Sequence, residues 1–131
     1  MIALDTNVLV RFLVEDDPAQ CRRAQALLQK AIDAGETCFV SDVVLCEIVW
    51  VLETSYKVAR GEVGSILDQL LRARHLTFPS SERLSRALAA YEAGRGDFAD
   101  YLIREWARVG GCETVMTFDG DLLHEAGFAA P

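Results

Sequence analysis

Met1-Ile2-Ala3-Leu4-Asp5-Thr6-Asn7 opens the chain, and this stretch decides the fold. Ile2, Ala3 and Leu4 form a short apolar run of the kind that makes a buried strand, and Val8, Leu9, Phe12 and Leu13 then recur at helical spacing. Asp5-Thr6-Asn7 is the turn between them. In open α/β sheets, ligands bind at the carboxyl ends of the strands, because the chain changes direction there and helix N-termini converge. A carboxylate at such a place is available for chemistry.

The same alternation continues along the chain. Asp16-Asp17-Pro18 starts a helix expected to run to Ala34 and stop at Gly35. Thr37 to Val40 reads as a brief strand, and Ser41-Asp42 caps a helix from Val43 to Ser55. Further helices are expected over Arg60 to Arg74, from Ser80-Ser81 to Ala93, and from Asp97 or Phe98 to Val109, with Gly94-Arg95-Gly96 breaking the chain between the last two. Leu76 to Phe78 fits a short strand and Thr114 to Phe118 a buried one. Asp119-Gly120-Asp121 then turns into a last helical turn, and Gly127 to Pro131 adds a short edge strand. Strands alternating with helices imply a parallel sheet covered on both faces.

At 131 residues, the chain is expected to form a single domain over residues 1–131. Its 51% apolar and 25% charged fractions are those of a soluble globular protein. No apolar stretch approaches the roughly 20 residues of a membrane span, and no basic segment with an apolar core opens the chain. The expectation is a cytoplasmic protein with no membrane partner. Cys21, Cys38, Cys46 and Cys112 include no CxxC pair, so buried free thiols are expected in place of a zinc or redox site. The net charge of −7 argues against general polyanion binding, and any nucleic acid must be held locally. Eleven of the 13 basic residues are arginine, the side chain best suited to bidentate phosphate contacts.

Besides Asp5, three acids sit in apolar settings, Glu47, Asp100 and Asp119. Glu47 has Val43, Val44, Trp50 and Val51 three and four residues away, so its carboxylate is expected to be desolvated. Such a group emerges at a sheet edge, pairs with an arginine, or binds a metal. Asp97 and Asp100 lie three apart at a helix start, where Asp97 serves as N-cap or ligand, and Asp100 directly precedes Tyr101-Leu102-Ile103. Asp119 follows Val115-Met116-Thr117-Phe118 and so repeats the position of Asp5, while Asp121 shares its turn or faces water. Carboxylates gathered at one sheet edge repel by about 4 kcal/mol per close pair at an effective dielectric of roughly 20. A divalent cation removes that penalty, and oxygen-only ligands select Mg²⁺ or Mn²⁺. His75 and His124 stand apart from any ligand partner, and Trp50 and Trp106 read as core or dimer-interface residues.

These residues resemble the PIN-domain ribonucleases, most closely the VapC-type toxins of type II toxin-antitoxin systems. The matching pieces are Asp5-Thr6-Asn7-Val8-Leu9, Glu47 followed by Val51-Leu52, Asp97-Phe98-Ala99-Asp100-Tyr101-Leu102-Ile103, and Thr117-Phe118-Asp119, in the family's order. The resemblance implies a three-layer α/β/α sandwich around a parallel central sheet. It maps the family's acidic quartet, catalytic and metal-binding, to Asp5, Glu47, Asp100 and Asp119. Asp97 matches an accessory acid and Thr117 a polar residue beside the site, with Asp121 nearby, and Thr6 and Asn7 match positions that orient the first acid. Arg11 and Arg95 are candidate phosphate contacts. The implied activity is Mg²⁺- or Mn²⁺-dependent hydrolysis of single-stranded RNA by metal-activated water, with the 3′-oxygen leaving. A homodimer and a cognate VapB-like antitoxin are implied as partners. Two departures stand out: the final strand is expected to be short or missing, and Tyr101 stands where a small residue is common.

Three rival readings of the sequence exist. A PIN nuclease of RNA processing without an antitoxin differs only in its genetic neighbourhood. A non-catalytic PIN binding module is disfavoured because all four acids are present. A Mg²⁺-dependent phosphohydrolase outside the family lacks the supporting lysine that such an aspartyl nucleophile needs.

Overall fold

The computed structural model describes residues 1–131. Strand β1 (Ile2–Ala3) leads into helix α1 (Thr6–Leu13), and α2 (Pro18–Asp33) returns the chain to β2 (Cys38–Phe39). Helices α3 (Asp42–Thr54) and α4 (Arg60–Arg72) then precede β3 (Leu76–Thr77). Helices α5 (Ser81–Ala93) and α6 (Phe98–Val109) precede β4 (Val115–Met116), and β5 (Phe128–Ala129) ends the order. Helix starts follow the capping residues. Asp17 accepts from the Gln20 N–H, Ser41 from Val44 and Ser80 from Arg83, with Pro18 in the first turn of α2.

Every strand pair is parallel, as the α/β alternation requires. One section of sheet has the order β1-β2-β3 and a second pairs β4 with β5, so the expected short final strand is present. The ladder reaches beyond the two-residue strands through Leu4 N–H to Phe39 C=O and Val40 N–H to Thr77 C=O, both at 2.9 Å. Strands β1 and β4 do not pair with each other, so each keeps an open side. Ile2 is 43% exposed and Phe118 91%. Burial in the two strands expected to be fully covered therefore falls mainly on Leu4, with Val115 half-buried.

After β4, the Asp119-Gly120-Asp121 segment does not become helical. It runs through successive tight turns, with Leu122 N–H donating to Asp119 C=O and Glu125 N–H to Leu122 C=O. Gly127 leads into β5 at φ +88°, a left-handed conformation that favours glycine. The core is one cluster, with Leu9, Val40, Ile48, Leu52, Val63 and Leu84 fully buried. Each such side chain contributes about 1.5–3 kcal/mol by leaving water. Cys21 and Cys38 are buried as expected and Cys46 is half-buried, its thiol pushed up to about 11 first by burial and then by Asp42 and Glu47. Cys112 is exposed, because it follows the Gly110-Gly111 stop of α6.

Trp50 and Trp106 lie outside the core, 65% and 50% exposed. Trp106 instead covers a buried ion pair. Its indole N–H donates to Asp42 Oδ2 at 2.9 Å, and the Arg83 guanidinium lies 4.1 Å from its ring centroid. Arg83 Nη2 stands 3.2 Å from the same oxygen, with both charged side chains only 10% exposed, so the cluster joins α3, α5 and α6. Removing Asp42 strands the Arg83 charge. Asp42→Ala is expected to lower the free energy of urea unfolding by about 3 kcal/mol. Arg72→Ala, which breaks only the exposed pair with Asp68, is expected to cost less than about 1 kcal/mol in the same measurement.

Candidate active site

Asp5 sits just past β1 as the N-cap of α1, and its Oδ1 accepts the Thr6 N–H at 2.8 Å. Thr6 is buried, and its hydroxyl donates to Glu47 Oε2 at 2.6 Å. That single hydroxyl ties the strand-end turn to the middle of α3. Asp5 and Glu47 are themselves exposed, so the expectation of a desolvated Glu47 is corrected. Helix α3 turns Leu45, Ile48, Val49 and Leu52 inward and leaves Glu47 outside with Val43 and Trp50, which are 66% and 65% exposed. The apolar residues around Glu47 mark an open face, not a buried one.

Asp97 is the N-cap of α6, as one of its two sequence readings held. Asp100 reaches back to accept the Asp97 N–H at 2.8 Å and is half-buried. Burial pushes the Asp100 carboxyl up, the bond from the Asp97 backbone opposes this, and the charges of Asp97, Asp119 and Glu125 push it up further. Asp119 is exposed at the turn after β4. Its N–H donates to Thr117 Oγ1 at 3.0 Å and its Oδ1 accepts the Asp121 N–H at 2.9 Å, so Thr117, Asp119 and Asp121 share that turn.

The structure therefore brings together Asp5, Thr6 and Glu47 on one side, and Asp97 and Asp100 in the field of Asp119 on the other. No three His, Cys, Asp or Glu side chains stand close enough to enclose a metal ion. The donor set nonetheless fits a hard divalent cation. It consists of carboxylate oxygens, and the mutual repulsion felt at Asp100 is what a cation relieves. Exposed carboxylates such as Asp5, Glu47 and Asp119 can change rotamer at little cost.

Sequence reading missed the residues that hold the Gly94-Arg95-Gly96 break. The Tyr101 hydroxyl accepts the Gly96 N–H at 2.9 Å and lies 2.8 Å from both carboxylate oxygens of Glu125, to which it donates. A Cβ on Gly94 would collide with that hydroxyl and with Glu125, and one on Gly96 would meet Leu122 Cδ2 at 2.5 Å. From the other side, Arg60 of α4 donates to the carbonyls of Tyr91 and Gly96, its guanidinium 4.0 Å from the centroid of the Tyr91 ring. The unusual Tyr101 is thus the residue that closes this turn. Two glycines flanking an arginine before Asp97 were the available signal; Glu125 and Arg60 had none.

The two candidate phosphate contacts differ. Arg11 is engaged, donating to Gln20 Oε1 at 2.7 Å, Asp16 Oδ1 at 3.0 Å and the Tyr56 hydroxyl at 3.2 Å. Arg95 is exposed and lines a cleft of about 360 Å³ with Asp121, His124 and Glu125. Asn7 is exposed at the start of α1.

Asp5 and Asp119 follow strands, and Asp97 and Asp100 open a helix, of a parallel α/β fold. A sequence profile of the PIN domain matches residues 2–128, and the chain belongs to the PIN-domain family. It is 27% identical over 128 residues to a VapC ribonuclease of Aquifex aeolicus (strain VF5), covering 98% of this chain and 93% of that protein.

Two outcomes follow from the acid cluster and its support. A carboxyl raised in the folded state contributes stability below its unfolded pKa of about 3.9 and loses it as pH rises through the folded value. In metal-free buffer at pH 7, Asp100→Asn is therefore expected to melt at a higher temperature than wild type, with the gap closing below about pH 4. Tyr101→Phe leaves the buried Gly96 N–H without its acceptor and is expected to cost about 2 kcal/mol in urea unfolding. Hydrogen exchange should then accelerate at Gly96 more than at Leu67 in the core of α4.

Proposed function

We propose that this chain is an endoribonuclease, dependent on Mg²⁺ or Mn²⁺, that hydrolyses RNA phosphodiester bonds as the toxin of a toxin-antitoxin pair. Membership of the PIN-domain family and the likeness to a VapC ribonuclease support a toxin-type nuclease. The observation that carries the proposal is the Thr6 bridge: its backbone N–H donates to Asp5 at the strand end and its hydroxyl to Glu47 of α3.

Asp5, Glu47, Asp100 and Asp119 would hold the cation. When bound, Mg²⁺ supplies positive charge against the negative charge that develops on a phosphodiester under attack. The chain's own contribution is positioning. Thr6 holds Asp5 through its backbone and Glu47 through its hydroxyl. The Asp97 backbone steadies Asp100, and Thr117 steadies the Asp119 turn that also carries Asp121. Asp97 and Asp121 add negative charge at the rim. Asn7, in the first turn of α1, lies next to this group and is free to contact the RNA chain.

The partners follow the same reading: single-stranded RNA as substrate, a VapB-like antitoxin, and a second copy of the chain. Exposed Val43, Trp50 and Trp106 support a homodimer, since large apolar side chains left open commonly mark contact surfaces. No helix is long and apolar enough to cross a membrane, and we place the protein in the cytoplasm.

Asp5→Asn is expected to abolish RNA cleavage and cell toxicity while leaving the circular dichroism spectrum and melting temperature near those of wild type. EDTA should abolish cleavage by wild type, and added Mg²⁺ or Mn²⁺ should restore it. Cleavage by Asp5→Asn at the wild-type rate with Mg²⁺ would overturn the assignment.

A further inference from the structure

A cleft of about 350 Å³ runs between α1 and α2 and starts at Asn7, two residues beyond Asp5. Its volume lies within the roughly 300–1,000 Å³ typical of small-ligand sites. Val8 of α1 and Ala24 and Leu27 of α2 give it an apolar side, and Asn7, Arg11, Gln20 and Arg23 a polar one. Gln20, Arg23, Ala24 and Leu27 recur at three and four residues, so one stripe of α2 lines it.

Charge distinguishes this cleft. The chain has 20 acidic residues against 13 basic ones, yet no carboxylate lines the cleft while two arginines do. Two other clefts each include acids, Asp121 and Glu125 in one and Glu15 in the other. The two arginines also differ in their commitments. Arg11 is clamped by Asp16, Gln20 and Tyr56, which fixes the cleft wall, partly neutralises its charge and leaves Nη2 free of protein partners. Arg23 has no hydrogen bond or ion pair to its side chain and is exposed. An unpaired guanidinium beside an apolar wall matches a nucleotide, whose phosphate takes the cation and whose base takes the wall.

We propose that the α1–α2 cleft is a subsite for one nucleotide of the RNA chain flanking the cleaved bond, with its phosphate on Arg23 and its base against Val8, Ala24 and Leu27. This rests on the nuclease reading above and adds the path of the substrate. Free amide donors of Gln20 and Asn7 line the same space, so they face the edge of the bound base and give the subsite a means of base preference.

The test measures anisotropy of a fluorescein-labelled, mixed-sequence single-stranded RNA on Asp5→Asn protein, which does not consume it. Adding Arg23→Ala is expected to weaken binding about fivefold and to lower the salt slope by about 0.7. Leu27→Trp, which fills the cleft without changing charge, should weaken binding as well. Arg22→Ala, next to Arg23 but outside the cleft, should leave it unchanged. With Asp5 intact, Arg23→Ala should raise KM and leave kcat within about twofold.

Equal binding with and without Arg23 overturns the subsite, as does an equal loss from Arg22→Ala, which would mark general surface charge. Loss of antitoxin-peptide binding by Arg23→Ala with RNA binding intact overturns it in favour of a protein ligand. If wild type cleaves no RNA while Arg23→Ala and Leu27→Trp still weaken oligonucleotide binding, the nuclease reading fails and the cleft stands as a nucleotide-binding site with no cleaved bond beside it.

Discussion

The register of the first three strands places Ile2 beside Cys38 and Leu76, and Ala3 beside Phe39 and Thr77. Because all three run the same way, Asp5, Ser41 and Pro79 follow their strands at equivalent positions along one edge of the sheet. Two paired residues per strand cannot hold that register alone. Leu4, Val40 and Leu76 are buried at these strands and anchor them in the helical core. Asp5 then caps α1 and Ser41 caps α3, and the two helices leave the edge close enough for Thr6 to reach Glu47.

The position of Asp97 and Asp100 depends on the turn before α6. Arg60 draws the Gly96 carbonyl from one side, and the Tyr101 hydroxyl takes the Gly96 N–H on the other. Glu125 completes the Tyr101 contact, and its charge also raises the Asp100 carboxyl. The tight turns after β4 therefore serve two ends at once, holding the turn while adding to the repulsion among the acids.

Charge in this chain is distributed rather than uniform. Its acids collect along the strand ends and around α6, while a separate cleft between α1 and α2 has arginines and amides and no acid. Arg11 is engaged by three neighbours through Nε and Nη1, whereas the Arg23 side chain has no protein partner.

The order of elements was legible because apolar periodicity, Ser and Asp caps and the Gly breaks are local properties; α2, α3, α5 and α6 begin at or next to the residues those signals name. The positions of Asp5, Asp97 and Asp119 at turns were legible for the same reason. Burial was not. Glu47, Trp50 and Phe118 have apolar neighbours in sequence but face outward, because the core-facing side of α3 is fixed by packing against the other helices and β4 lacks a partner along one edge. The Asp42–Arg83–Trp106 cluster and the Tyr101–Glu125 contact were equally invisible, since their hydrogen bonds join residues 24, 41 and 64 positions apart. Local chemistry in the sequence determined where the helices α2, α3, α5 and α6 begin and which acids follow strands or open helices. Only tertiary structure decided which of those side chains are buried, paired or left free, because that depends on which surfaces the folded chain brings face to face.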